Sequence, residues 1–295
     1  MLRPPIAALV LLLGAPSIAQ DDSASAAARL RALLDEYRAD GGSFRKATTD
    51  AERNAAVAQM DRFALRFVAL LEHHPADPVA LDVALEAIRS LNAVESLTQG
   101  TFTMNEKVFP TRGRDDLAGR GVAVLERNHL RSERLGPICL RMSYGLRPEF
   151  EAFLRAVVRA NPAREVRAIA CLALAQLRHA RLLKLALVSD RPELADRYAD
   201  LFGRERFAAW CRQDRVAASR EVEALFERCS TEYGEVAHPY GGTIGERARS
   251  ELFEIRHLAA GKLAPEIEGV DQDGHRFKLS DYRGRVVLLD FWQEH

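Results

Sequence analysis

Apolar residues recur three and four positions apart through most of the chain, the spacing that lines one face of an α-helix. In "SAAARLRALLDEY" the repeat falls on Leu30, Leu33, Leu34 and Tyr37. "AVAQMDRFALRFVALLEHH" carries a second such face and stops at Pro75. "PVALDVALEAIRSL" restarts at Pro78, a residue suited to a first helical turn, with Asp77 placed to cap it. The same period predicts helices over 115–128, 147–160, 163–187, 191–212, 217–232 and 244–258. The irregular stretch "TQGTFTMNEKVFPTRGRDD" (98–116) reads as a long loop.

Two helix junctions share one pattern. "ALLEHHPADPVALDVA" (69–84) and "AVVRANPAREVRAIAC" (156–171) each run from an apolar helix end through Pro-Ala to a valine that opens the next helix. "AVLERNHLRSERLGPICL" (123–140) is a looser third copy, and "EALFERCSTEYGEVAHP" (223–239) ends another helix at a proline-marked break. Repeated helical hairpins predict a mainly α domain over 20–258, a solenoid of the tetratricopeptide type in which each unit buries its face on the next. The strict tetratricopeptide signature is absent, so the likeness is one of architecture.

At about Ala259 the period changes. "GKLAPEIEGVDQDGHRFKLSDYRGRVVLLDFW" alternates short extended runs with turns. Glu266–Val270 and His275–Leu279 are expected as strands around the tight turn "DQDG", where Gly274 can take a positive φ. Ser280 is expected to cap a single helical turn that Gly284 ends. Val286–Phe291 is continuously apolar, as in a strand buried on both faces of a parallel-type sheet.

The order of Gly261, Ala264-Pro265, Gly269, Asp273-Gly274, Phe277, Leu279-Ser280-Asp281-Tyr282, Arg283-Gly284, Val286-Val287 and Phe291-Trp292 resembles the opening of an exported thioredoxin-like domain. The family is that of the TlpA-like redoxins, grouped with the alkyl hydroperoxide reductase/thiol-specific antioxidant proteins. The resemblance covers about 35 residues. It implies an incomplete α/β thioredoxin-like fold over 259–295 and a family activity of thiol-disulfide exchange. There a Cys-x-x-Cys follows the Phe-Trp pair, its first thiolate favoured by a helix N-terminus. Here Gln293, Glu294 and His295 follow Phe291-Trp292. The resemblance therefore implies an oxidoreductase family member whose polypeptide as given lacks the reactive dithiol and is expected to be inactive. A strand at 286–291 without neighbours would leave backbone groups unpaired. The tail is expected to pack on the helices, pair with another chain or stay loosely ordered after Leu258.

The N-terminus adds an address. Arg3 precedes the apolar run "IAALVLLLGA" (6–15), about the length of a signal-peptide core and short of the roughly 20 residues that span a bilayer. Pro16 and the small residues around Ser17-Ile18-Ala19 predict cleavage near Ala19, the alternative being an uncleaved anchor or a buried helix. The mature protein is expected outside the cytoplasm, in the periplasm or its equivalent, without stable membrane insertion.

Composition changes this picture little. Formal net charge is zero, which argues against a nucleic-acid binder or a polybasic membrane-surface protein. Hydrophobic residues make up 47% of the chain, enough for a core. No catalytic, cofactor-binding or metal-ligating residue is assigned. His73-His74 point about 100° apart on a helix and chelate poorly. The charges of "SDRPELADRYADLFGRER" (189–206) alternate in sign, as on a solvated face. Gly241-Gly242 lack the Lys-Ser/Thr of a phosphate-binding loop and read as a loop into the last helix, with Thr243 capping it. Cys139, Cys171, Cys211 and Cys229 include no Cys-x-x-Cys. Export would permit a disulfide, and spacing does not choose a pair. The alternative function is that of a periplasmic helical scaffold for a protein partner.

Overall fold

The computed structural model describes residues 25–40, 46–100 and 114–290. The expected signal peptide, most of the expected loop at 98–116 and the Phe291-Trp292 pair lie outside these residues. Eleven α-helices fill the described chain up to Phe253: α1 (Ala26–Asp40), α2 (Asp50–His73), α3 (Ala80–Gly100), α4 (Arg114–Asn128), α5 (Gly136–Met142), α6 (Pro148–Ala160), α7 (Arg164–Asp190), α8 (Ala195–Phe202), α9 (Arg204–Cys211), α10 (Arg215–Glu232) and α11 (Ile244–Phe253).

Several helices start where a side-chain oxygen meets the free N–H groups of the first turn. Thr49 accepts from the Glu52 amide, and the Glu52 carboxylate accepts in return from the Thr49 amide at 3.0 Å. Hydrogen bonds from the Thr48 and Thr49 amides hold the Glu52 carboxyl at about 2. Asp214 accepts from the Val216 and Ala217 amides to open α10. Thr243 and Glu246 form the same reciprocal box at α11, as expected for Thr243.

Two helical expectations change, and one helix falls outside every predicted span. The helix expected over 191–212 is a 3-10 turn (Pro192–Leu194) followed by α8 and α9. Gly203 breaks it with a φ of +88°, a conformation that costs glycine little. The helix expected to Leu258 ends its α geometry at Phe253, and Glu254–Leu258 widens into a π-type turn. The short α5 carries no amphipathic period, because Ile138, Cys139, Leu140 and Met142 are all buried.

Helices pack on their neighbours and on the helix after next. α2 meets α3 and α4, α3 meets α5, α4 meets α6, and α5 meets α7. Helix lengths run from 7 to 27 residues, so no uniform repeat unit emerges. The long α7 is the spine: it contacts α5, α6, α10 and α11. Every residue from Ala168 to Ala175 is buried. An apolar helix enclosed on all sides needs small residues where neighbours approach, and Ala168, Ala170, Ala173 and Ala175 supply them. Tyr198, Phe202, Phe207 and Trp210 form a ring cluster that packs α8 and α9 together, and Arg181 of α7 lies 4.8 Å over the Trp210 ring.

The two look-alike junctions share their hydrogen bonding. Asp77 Oδ1 accepts from the Val79 amide at 2.8 Å, and Asn161 Oδ1 accepts from the Ala163 amide at 2.9 Å. Asp77 thus caps the turn before α3, whose helical geometry begins at Ala80. The linker between α4 and α5 is bonded to both junctions. His129 Nε2 meets the Pro75 carbonyl at 2.6 Å and Arg134 donates to the Pro78 carbonyl at 2.8 Å. On the other side Asn161 Nδ2 donates to the carbonyls of Leu130 and Ser132, at 2.8 and 3.0 Å.

Beyond Leu258 no residue up to Asp290 is buried. β1 (Glu268–Val270) and β2 (Arg276–Lys278) form a two-stranded antiparallel hairpin with Gly269 opposite Phe277. Both strands are shorter than expected, and a 3-10 turn follows (Leu279–Tyr282). The described part of the expected strand, 286–290, enters no ladder. An apolar run becomes a strand only when another strand satisfies its backbone, and the described chain offers none at this edge. Among the described residues the tail buries none of its side chains on the helical domain.

Candidate functional site

The segment 266–285 is held by its own bonds. The Asp271 amide donates to the His275 carbonyl at 2.9 Å, and Gly274 sits at φ +84°. A three-residue turn closing with a left-handed glycine is a common hairpin loop. Asp271 Oδ1 accepts from the amides of Asp273 and His275 at 2.9 and 2.8 Å, fixing the turn from inside. Lys278 Nζ lies 2.6 Å from Glu268 Oε1 across the ladder. The Leu279 amide donates to the Ile267 carbonyl at 2.9 Å, which carries the pairing one step past β2.

The turn after β2 departs from expectation in its cap. Asp281, not Ser280, closes it by accepting from the Lys278 amide at 2.9 Å. The Ser280 amide instead donates to Glu266 Oε1 at 2.9 Å, and the hydrogen bonds from Ser280 hold the Glu266 carboxyl below its ordinary range. Glu266 thereby ties the chain entering the hairpin to the turn leaving it. Gly284 takes φ +83° and redirects the backbone into Val286–Leu289. In that run Val286 and Leu288 are almost wholly exposed, while Val287 and Leu289 are 42% and 48% exposed. The alternation gives this apolar edge two faces, and its chemical capacity is to add to another strand.

Phe277 lies against its cross-strand partner: a Cβ on Gly269 would come 2.7 Å from the ring Cζ. Gly269→Val is therefore expected to push the ring away and unpair the hairpin. In wild type the Gly269 Hα resonance should be shifted upfield by the ring, and Phe277→Ala should return it to its random-coil position. Both substitutions should leave the unfolding midpoint of the helical part unchanged, because no residue of 259–290 is buried.

The residues singled out in sequence do not converge. His73 is exposed at the end of α2, and His74 caps that helix with its amide on the Leu70 carbonyl at 3.1 Å. Arg204 pairs with Asp196 and Asp200, and Arg191 with Glu193, which puts these charges of 189–206 on a solvated face. Gly241 and Gly242 take φ +90° and +69° in the turn between the bridged residues Ala237 and Thr243. Among the described residues, three groups of metal-ligating type come together: Asp271, Asp273 and His275, all exposed. Alternate positions of the "DQDGH" turn carry them, and Asp271 is already committed to the turn's amides.

The four cysteines are free thiols in four different helices. Cys211 is exposed at the end of α9. Cys139 is enclosed in α5, and burial pushes its thiol up to about 12, which makes it inert. Cys171 of α7 and Cys229 of α10 are both buried, and Cys171 Sγ lies 3.9 Å from the Leu225 carbonyl, one turn before Cys229 on α10. Sequence reasoning missed this meeting because it depends on the packing of α7 against α10. It also missed a polar cluster at α11, where Glu251 accepts from Gln176 Nε2 at 3.3 Å and lies 3.4 Å from His179 Nδ1. The hydrogen bond from His179 keeps the Glu251 carboxyl below its ordinary range. Among the described residues no thiol or hydroxyl is bonded to this cluster, and it ties α11 to α7.

No family model and no solved structure matches the chain. Among curated proteins, the thiol-disulfide oxidoreductase ResA of Geobacillus kaustophilus (strain HTA426) is similar: 42% identical over 50 residues, 17% of this chain and 29% of that protein. The chain thus spans less than a third of the relative's length, and the likeness supports a thioredoxin-like redoxin relationship confined to a short segment.

Proposed function

We propose that the chain joins an exported helical domain to the opening segment of a thioredoxin-like domain from the thiol-disulfide oxidoreductase family. The observation that carries this reading is the 42% identity to a named thiol-disulfide oxidoreductase. The hairpin, the single turn and the two-faced apolar run agree with the order of elements that the resemblance implies. In such a domain Val286–Phe291 would be a central strand and would deliver the redox dithiol at its C-terminal end. The helical part would then act as the exported domain's support, and residues 1–19 as its leader.

The 295 residues contain no Cys-x-x-Cys. A polypeptide of this sequence is therefore expected to show no reduction of insulin by dithiothreitol above the uncatalysed rate. Turnover that depends on any of Cys139, Cys171, Cys211 or Cys229 would overturn the reading. A second test is the coding DNA beyond His295: the reading expects a Cys-x-x-Cys within the next few codons in one of the three frames, and its absence from all three counts against the family assignment. The alternative, a tetratricopeptide-like scaffold, draws on the neighbour-and-next-neighbour packing of α2 to α7. It predicts that residues 20–258 alone bind one partner protein at micromolar affinity or better.

A further inference from the structure

The helical domain holds a dithiol that the redoxin reading does not use. α7 and α10 pack along each other. Cys171 faces α10, with its Sγ 3.9 Å from the Leu225 carbonyl, one turn before Cys229 on the same helix. Both cysteines are wholly enclosed, and each is the largest single influence on the other's protonation. Cys139 and Cys211 have no such partner thiol among the described residues. Two buried thiols at one helix–helix contact, on helices whose covalent link is a long intervening stretch of chain, are placed for a cross-link that would fasten those helices.

We propose that Cys171 and Cys229 form a redox-modifiable pair that closes into a disulfide between α7 and α10 when the protein meets a disulfide oxidant. The exchange balances in the same way whichever of the two thiols attacks first; with Cys171 leading, it runs in two steps. The Cys171 thiolate attacks one sulfur of an external disulfide, forming a mixed disulfide and releasing one thiolate. Cys229 loses its proton and attacks the Cys171 sulfur, expelling the second thiolate. The protein dithiol is oxidised by two electrons, the external disulfide is reduced to two thiols, and the two protein thiol protons end on them. Because both sulfurs are enclosed, the exchange takes place while α10 is still docking on α7 and is slow in the finished fold. The proposal stands independently of the redoxin reading, which concerns cysteines that this sequence does not contain.

The test uses the full chain, unfolded under reducing conditions and refolded with reduced and oxidised glutathione. Free thiols are then alkylated in denaturant and the peptides mapped by mass. Two of the four cysteines are expected to escape alkylation, joined in a Cys171–Cys229 peptide lighter by two hydrogens, while Cys139 and Cys211 are alkylated. The oxidised protein should unfold roughly 5 °C or more above the reduced protein. That comparison needs no substitution, and the gap should close in Cys229→Ala. Four alkylated cysteines, or a bridge with different partners, would overturn the proposal. A Cys171–Cys229 bridge that leaves the midpoint unchanged would overturn its role as a staple.

Discussion

Glu151→Gln is expected to destabilise the helical domain by about 3 kcal/mol, more than any surface charge in the chain. Glu151 lies on α6 with its side chain 17% exposed, and its two oxygens serve three guanidinium groups. Oε1 accepts from Arg155 at 3.1 Å and from Arg178 at 3.2 Å, and Oε2 accepts from Arg181 at 2.7 Å. Arg178 is also paired with Glu221 of α10, and Arg181 sits over Trp210 of α9. A single carboxylate therefore links α6 to α7, and through α7 to the helices on its other side. Exposed pairs such as Arg134–Asp82, about half exposed on both partners, contribute at most about 1 kcal/mol. Removing the carboxylate at position 151 is different in kind, because the Arg181 side chain is only 10% exposed and would keep a charge without its counter-ion. Asp82→Asn is the control, with an expected loss under about 0.5 kcal/mol.

Acid gives that prediction a second arm. Burial alone would raise the Glu151 pKa, but the charges of Arg181 and Arg178 and the hydrogen bond from Arg181 outweigh it, and the carboxyl lies below its ordinary range. A folded pKa below the unfolded one means stabilisation that is complete above about pH 4.3 and is lost as pH falls through the lowered folded value. Urea melts should therefore show the gap between wild type and Glu151→Gln narrowing below about pH 4 and closing in stronger acid. A gap that is constant with pH would assign the loss to packing rather than charge.

Most of the helical domain was legible because its helices are long and have one apolar face. α1, α4, α6 and α10 fall within a few residues of the spans their periods predict. The misses have separate causes. α2 starts at Asp50, six residues before its apolar period, because Thr49 and Glu52 build a capping box; that Thr-x-x-Glu signal stands in the sequence and precedes the first apolar turn. α5 spans only seven residues and buries Ile138, Cys139, Leu140 and Met142, too short a run to show a period. At Gly203 the period runs on while the backbone turns, since side-chain spacing does not report φ. The tail divides in the same way. Asp273-Gly274 announces its turn locally, whereas strand formation by 286–290 depends on a partner and is no property of the segment alone. The Cys171–Cys229 contact belongs wholly to the packing of two helices, so cysteine spacing could not identify it.

Asn161→Ala is expected to cost about 3 kcal/mol, although it removes only a small polar side chain. Asn161 is 2% exposed at the C-terminus of α6. It donates to the Leu130 and Ser132 carbonyls, accepts from the Ala163 amide, and offers its own carbonyl to Arg167 at 2.8 Å. Alanine keeps the backbone bonds and orphans three partners, each worth about 1–3 kcal/mol when left unsatisfied away from water. Asn128→Ala, whose side chain only returns to the Val124 carbonyl of its own helix, should cost under about 1 kcal/mol. Asn161→Asp separates the two halves of the latch. It retains an acceptor for Ala163 but turns a carboxylate toward two carbonyl oxygens, so its folded pKa should be raised by burial and by the two lone-pair partners it faces. A raised folded pKa gives stability that is complete below the unfolded value of about 3.9 and is lost as pH rises through the folded one. At neutral pH Asn161→Asp should therefore be less stable than Asn161→Ala. Below about pH 4 the order should reverse, because the protonated carboxyl can again donate to one of the two carbonyls. Measuring the two variants against each other cancels the Glu151 titration they share, and an order that does not change with pH would show that the amide's two donated bonds do not hold the linker.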